Sequence, residues 1–288
     1  MGVSRNRILI GTYIIVITFI FLYLLFPADT VRAYLSYQLS QIHPAVKVEI
    51  ERVNPAFPPG LKLDNVSFYQ GHTRLGKLET VRLRPGFFSL FSSETRLSFS
   101  GTGYSGNLAG NATIVSNSEI TRTTVTAEIS GFDLKEMAAV ETLSRYKIAG
   151  RLNGTFTFSS DTANQTLESM LTLLDGEFDP ASPMFEGGLL TFRQIKADLR
   201  LDNQRLAIKK CGLEGDQVDG ELSGSIILNA NSAKSILNLN VIIKPHQAFL
   251  AKMGKSFPVD LFKAQRGDKR GFSFKITGTG DSPRLLFE

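Results

Sequence analysis

From Val46 onward, the chain alternates apolar and polar residues with a period of two. VKVEI at 46–50, LKLDNVSFY at 61–69, LETVRLRP at 78–85, TRLSFSG at 95–101 and TTVTAEIS at 123–130 show it first. The pattern continues through RLNGTFTFS, TLESMLTLL, IKADLRLD, RLAIKKCGL, SIILNA, ILNLNVIIK and FSFKITG. Successive side chains of an extended strand point to opposite faces, so such segments bury one face and expose the other. Short Gly, Asn, Asp and Ser turns separate them, which is the pattern of antiparallel hairpins or meanders. The expected fold is mainly β: one elongated, curved antiparallel sheet with a few short helical insertions. DLKEMAAVETLSRY, with Asp133 and Glu136 at capping-box spacing, and PHQAFLAKMG, from Pro245, are the expected insertions. With 288 residues, 42% hydrophobic and 20% charged, the chain can bury a core and is not composed like a disordered one. No Pro-rich or Gly-Ser linker divides the region 30–288, so it reads as one domain, with an internal joint considered near 176–188.

The start of the chain breaks this pattern. Ile8 to Phe26, ILIGTYIIVITFIFLYLLF, contains no charged residue. As a helix its length is about 28 Å, close to the hydrocarbon thickness of a bilayer. It is too long for the apolar core of a signal peptide, and Val31-Arg32-Ala33 is a poor cleavage site. The expectation is an uncleaved membrane anchor within residues 1–29, with Arg5 and Arg7 on the cytoplasmic side and the β domain across the membrane. The absence of Glu or Asp in the span argues against a pilin. After Pro27, TVRAYLSYQLSQIH is expected to form a short amphipathic helix at about 30–43, with Val31, Tyr34, Leu35, Leu39 and Ile42 on one side.

A five-residue spelling, G-x-L-x-G, recurs three times: GNLAG (Gly106, Gly110), GRLNG (Gly150, Gly154) and GELSG (Gly220, Gly224). In a strand these glycines share a face with the leucine between them. Bare positions permit sharp coiling or close approach of another backbone. Two readings follow: strand twist with packing against a neighbour, or a sheet curled into an apolar trough that holds lipid tails.

The order of a single span, LLFPADTVRAYL, VKVEIERV, NPAFPPGLKLDNVSFYQG and VRLRPGFFSLFSSETRLSFSGTGYSGNLAG resembles the protein N (GspN) family of the type II secretion system. It is also similar to the wider AsmA-like group of membrane-anchored periplasmic β proteins. The likeness covers the chain in organisation and residues 22–110 in spelling. The resemblance implies a non-enzymatic accessory component of type II protein secretion. It would sit in the bacterial inner membrane with a periplasmic domain, have other secretion subunits as partners, and need no cofactor. The AsmA-like kinship implies contact with membrane lipid and an acyl-lipid ligand.

The residues themselves offer little catalytic chemistry. His43, His72 and His246 are far apart, with no H-E-x-x-H and no helical pair, and read as surface or turn histidines. Cys211 is the only cysteine and reads as a small buried hydrophobe. Gly101, Gly103 and Gly106 satisfy G-x-G-x-x-G, but the following NLAGNATIVSN reads as strand, whereas a dinucleotide site needs a helix there. Glu214, Asp216, Asp219 and Glu221 cluster without EF-hand spacing and read as a solvated hairpin loop, with Ca²⁺ as the rival. Sequons at Asn65, Asn111, Asn153 and Asn164 read as turns. A net charge of +5 spread singly along the chain provides no basic stripe for nucleic acid. Two functions remain: a secretion component that recruits subunits by strand addition or flat packing, or a protein that binds or shuttles lipid.

Overall fold

The computed structural model describes residues 5–41, 46–56, 60–71, 73–86, 94–116, 121–137, 147–161, 164–179, 189–229, 231–249 and 271–287. Two helices come first, α1 (Arg5–Leu24) and α2 (Ala28–Gln41). Six strands follow: β1 (Lys47–Ala56), β2 (Gly60–Gln70), β3 (Thr73–Pro85), β4 (Glu94–Gly103), β5 (Gly106–Ser116) and β6 (Thr121–Asp133). Then come β7 (Lys147–Ser160), β8 (Gln165–Asp179), β9 (Leu190–Asp202) and β10 (Arg205–Gly215). The last four are β11 (Val218–Ile227), β12 (Ile236–Pro245), β13 (Phe272–Thr279) and β14 (Pro283–Phe287).

All fourteen strands form one antiparallel sheet in sequence order, each hydrogen-bonded to its neighbours in the chain. The β8–β9 ladder runs from Thr166↔Asp202 to Phe178↔Leu190, so the sheet continues on both sides of the joint considered near 176–188. The alternation decides the faces. Across β8, β9 and β10, Leu171, Ala197 and Cys211 are lateral neighbours on the inner face, while Glu168 and Arg200 pair on the outer one. There Arg200 bridges Glu168 and Asp202, and Lys209 lies near Glu168 and Asp198.

At the first strands, Val48, Ile50, Val53, Leu63, Val66 and Val81 form a buried core. Phe26, Val31, Leu35 and Leu39 pack on it, so α2 covers this part of the sheet. The helix runs antiparallel to β1: the Val48 amide donates to Ser40 Oγ, and Arg32 donates to the Glu51 carbonyl. The expected amphipathic helix is therefore present, starting two residues early, and it lies along a sheet face. Tyr34 differs from the expectation and is 61% exposed; Ile42 lies outside the described residues.

Helix α1 is 20 residues long, about 30 Å. Taken over the described residues alone, no helix is long and apolar enough to cross a membrane. Of the two expected insertions, Leu134–Glu136 forms a single 3₁₀ turn capped by the Asp133 side chain, which accepts from the Lys135 amide. Glu136 does not close a capping box but accepts from Ser105 Oγ. Residues 138–146 and 250–270 lie outside the description.

Candidate functional site: an apolar trough

The inner face of the C-terminal half encloses a cavity of about 560 Å³. Its walls come from every strand between β7 and β13, through Ile148, Leu173, Phe192, Leu213, Leu222, Val241 and Ile276 among others. In a flat sheet β7 and β13 would stand about 29 Å apart, six steps of roughly 4.8 Å. Residues of all seven strands nevertheless border this one cavity, as the twist and coiling of a many-stranded sheet favour. Among the described residues Glu177 is the one charged residue of the lining, and its carboxylate pairs with Lys135 at 3.3 Å. The floor is continuous with a small core of Ile208, Cys211 and Leu239, against which Ile195, Leu213, Leu222 and Ile276 pack. Cys211 is a free, buried thiol whose pKa burial pushes up, which makes it the inert hydrophobe its setting suggested.

The repeated glycines mark places where the neighbouring strand approaches closely. A side chain on any of the six would meet a carbonyl oxygen of the next strand: Ser130 for Gly106, Thr126 for Gly110, Leu174 for Gly150, Met170 for Gly154, Ile242 for Gly220 and Asn238 for Gly224. At five of them a Cβ would stand under 3.0 Å from a heavy atom, whereas at Gly220 the nearest is 3.1 Å away. Gly150 and Gly224 also adopt φ of +134° and +135°, a region L residues rarely enter. Both lie at bulges, Gly150 opposite Asp175–Gly176 and Gly224 beside Lys209–Lys210, and bulges increase local twist. Only Gly220 lines the cavity itself.

GTGYSG forms a hairpin. Tyr104 and Ser105 take φ of +54° and +59° between Gly103 and Gly106, and β5, a strand, follows. The Tyr104 ring lies 5.8 Å from that of Phe132, and its hydroxyl meets the Lys77 amide.

The acidic side chains of the β10–β11 turn are solvated, and three of them, Asp216, Asp219 and Glu221, also have side-chain partners. His246 Nδ1 lies 2.9 Å from the Asp216 carbonyl, and Nε2 lies 2.9 Å from Asp219 Oδ2. A carbonyl and an ionised carboxylate only accept, so this geometry favours the imidazolium form, which donates from both nitrogens. The Asp219 carboxylate, followed by the Asp216 carbonyl, holds the His246 pKa above its ordinary value, and His246 holds Asp219 below its own. Asp216 also accepts from Thr191 Oγ1 at 3.0 Å and faces Arg193 at 3.8 Å, while Glu221 pairs with Lys244 at 3.3 Å. Glu214 is exposed. Among the described residues no group of three or more His, Cys, Asp or Glu is arranged to hold a metal. His246 thus ties β12 to the β10–β11 turn at the trough rim, beside the lining residue Val218. His43 and His72 lie outside the described residues.

Comparison of the chain with protein-family models, with curated proteins and with solved structures finds no match.

Proposed function

We propose that this is a membrane-anchored, non-enzymatic envelope protein whose curled sheet holds the acyl chain of a lipid. The apolar trough carries the reading. A methylene needs about as much room as the ~30 Å³ of a liquid water molecule. The cavity of about 560 Å³ therefore suits one long acyl chain, and its lining is almost wholly hydrocarbon. The anchor is supported by α1, where Ile10, Tyr13, Ile14, Ile20, Phe21 and Leu24 are all more than half exposed, a costly arrangement in water. The trough is lined from the starts of β7, β9 and β11 and the ends of β8, β10 and β12. That is the end of the sheet opposite to the one where β1 finishes beside the start of α2, which suits a carrier holding lipid away from the bilayer.

The test is native mass spectrometry of the full chain released from phosphatidylcholine nanodiscs. One bound lipid should survive in the wild type, and Val241→Glu, which places a charge on the lining, should retain at least about tenfold less. Equal retention by both proteins would end the trough reading. For the anchor, a reporter active only across the membrane, fused after Glu288, should be active, and a new N-terminus near Tyr34 would refute an uncleaved span.

A second reading, an accessory subunit of type II secretion in the bacterial inner membrane, is favoured by β14. This five-residue edge strand exposes Leu285 and Leu286 by 55% and 52%. Such an edge is a template for strand addition by another subunit. Cross-linking from Leu286 to a secretion subunit supports it, and secretion unaffected by loss of the protein removes it.

A further inference from the structure

Outside the trough, the end of the first strands where β1 finishes holds a basic hollow. A cavity of about 340 Å³ is lined by Pro55, Ala56, Lys62, Arg82, Leu83 and Arg84. Lys62 and Arg82 are direct cross-strand partners on β2 and β3. They stand on the face opposite the core, since their neighbours Leu63 and Val81 point into it. Asp64 is the carboxylate at this place, 2.9 Å from Lys62 Nζ and also held by Asn54. It offsets Lys62, and no described side chain offsets Arg82 or Arg84, which are exposed. The hollow therefore keeps a net charge of about +2 from two guanidiniums two residues apart on one strand face.

Its place in the fold gives that charge a meaning. Because α2 is antiparallel to β1, with Ser40 beside Val48 and Arg32 beside Glu51, the start of α2 lies toward the end of β1. The hollow uses that same end, Pro55 and Ala56, and α1 precedes α2 directly in the chain. In sequence, residues 57–59 (FPP) and 87–93 (FFSLFSS) contain no charged residue.

We infer that the hollow of Lys62, Arg82 and Arg84 binds the phosphate of an anionic membrane lipid at the bilayer surface where α1 leaves the sheet. This rests on the reading of α1 as a membrane anchor. Guanidinium pairs match phosphate oxygens in a two-pronged geometry, and a basic residue near an anionic bilayer gains about as much as a several-fold change in affinity. The lipid held here is bound by its head, at the end of the sheet opposite to the trough.

The experiment uses the full chain in nanodiscs of phosphatidylcholine and phosphatidylglycerol, read by native mass spectrometry for the lipid class retained. Wild type should keep phosphatidylglycerol in preference to phosphatidylcholine. Arg82→Glu/Arg84→Glu should lower that preference about tenfold, and Arg82→Gln/Arg84→Gln should lower it less. Arg74→Glu, at the far end of the same strand roughly 30 Å away, should leave it unchanged. An unaltered preference in both double variants overturns the inference, as does an equal loss in Arg74→Glu. Displacement of the lipid by millimolar inorganic phosphate would mark a free-phosphate site and also overturns it. Flotation with pure phosphatidylcholine vesicles tests the anchor separately: the double variants should float as wild type does, and failure of wild type to float refutes the anchor reading instead. Val241→Glu should keep the phosphatidylglycerol preference, which separates this site from the trough.

Discussion

The two ends of the sheet present the same kind of apolar inner face to different surroundings. Around β1 to β3 it is covered by the chain's own helix, and Val53 and Leu63 are 2% exposed. Around β7 to β13 the face is equally apolar, yet among the described residues it surrounds a cavity of about 560 Å³. A sheet face needs an apolar partner whatever its source. The first region is completed by the chain's own helix, whereas among the described residues the second leaves its apolar face around a cavity.

The sharpest way to break this comparison is at Leu63, the largest fully buried side chain described. Leu63→Ala should cost about 2–5 kcal/mol in chemical denaturation, because a filled core relaxes poorly around a hole. The same truncation on the trough lining, Leu173→Ala, should cost clearly less. Equal costs would mean that both regions are packed alike.

Next in size is Gly224→Val. It combines φ of +135° with a carbonyl where the side chain would go, and strain of that kind costs about 1–3 kcal/mol. Gly220→Ala, whose nearest contact is 3.1 Å away, should be milder and should reduce lipid capacity by narrowing the trough. A neutral Gly224→Val would show that the coiling of the open region does not depend on its glycines.

The smallest effect concerns the rim. The raised His246 pKa gives stability that is fully present below the ordinary histidine value and is lost as pH rises through the raised one. The lowered Asp219 pKa gives stability present above the ordinary carboxylate value and lost as pH falls through the lowered one. The melting-temperature difference between wild type and His246→Ala should therefore be largest between about pH 4 and 6.5 and shrink on either side. A difference that is flat with pH would exclude the imidazolium pairing. The pair is exposed, so the change should be small.

Much of the sheet was legible because period-two alternation is a local signal. β14 was not: PRLLF is short, starts with proline and does not alternate, as an edge strand can afford. The six repeated glycines were visible as a spelling, but their shared reason, a neighbouring carbonyl at each, depends on strand pairing. The trough was legible only as one of two options, since the alternation marks an apolar face without saying what covers it. The His246–Asp219 contact was hidden by 27 residues of separation. Only the β11–β12 register, which sets Val218 against Pro245, brings the two together. The basic hollow was equally invisible, because Lys62, Arg82 and Arg84 look like isolated charges until β2 and β3 are laid side by side.

The strictly sequential strand order has a consequence for how the protein is made. Each strand bonds only to strands adjacent in the chain, so no strand must wait for a distant segment before it docks. A chain emerging N-terminus first can build α2, β1, β2 and β3 into a finished nucleus, then lengthen the sheet one hairpin at a time. Assembly can then track synthesis, and the walls of the apolar trough are complete only when β12 and β13 arrive.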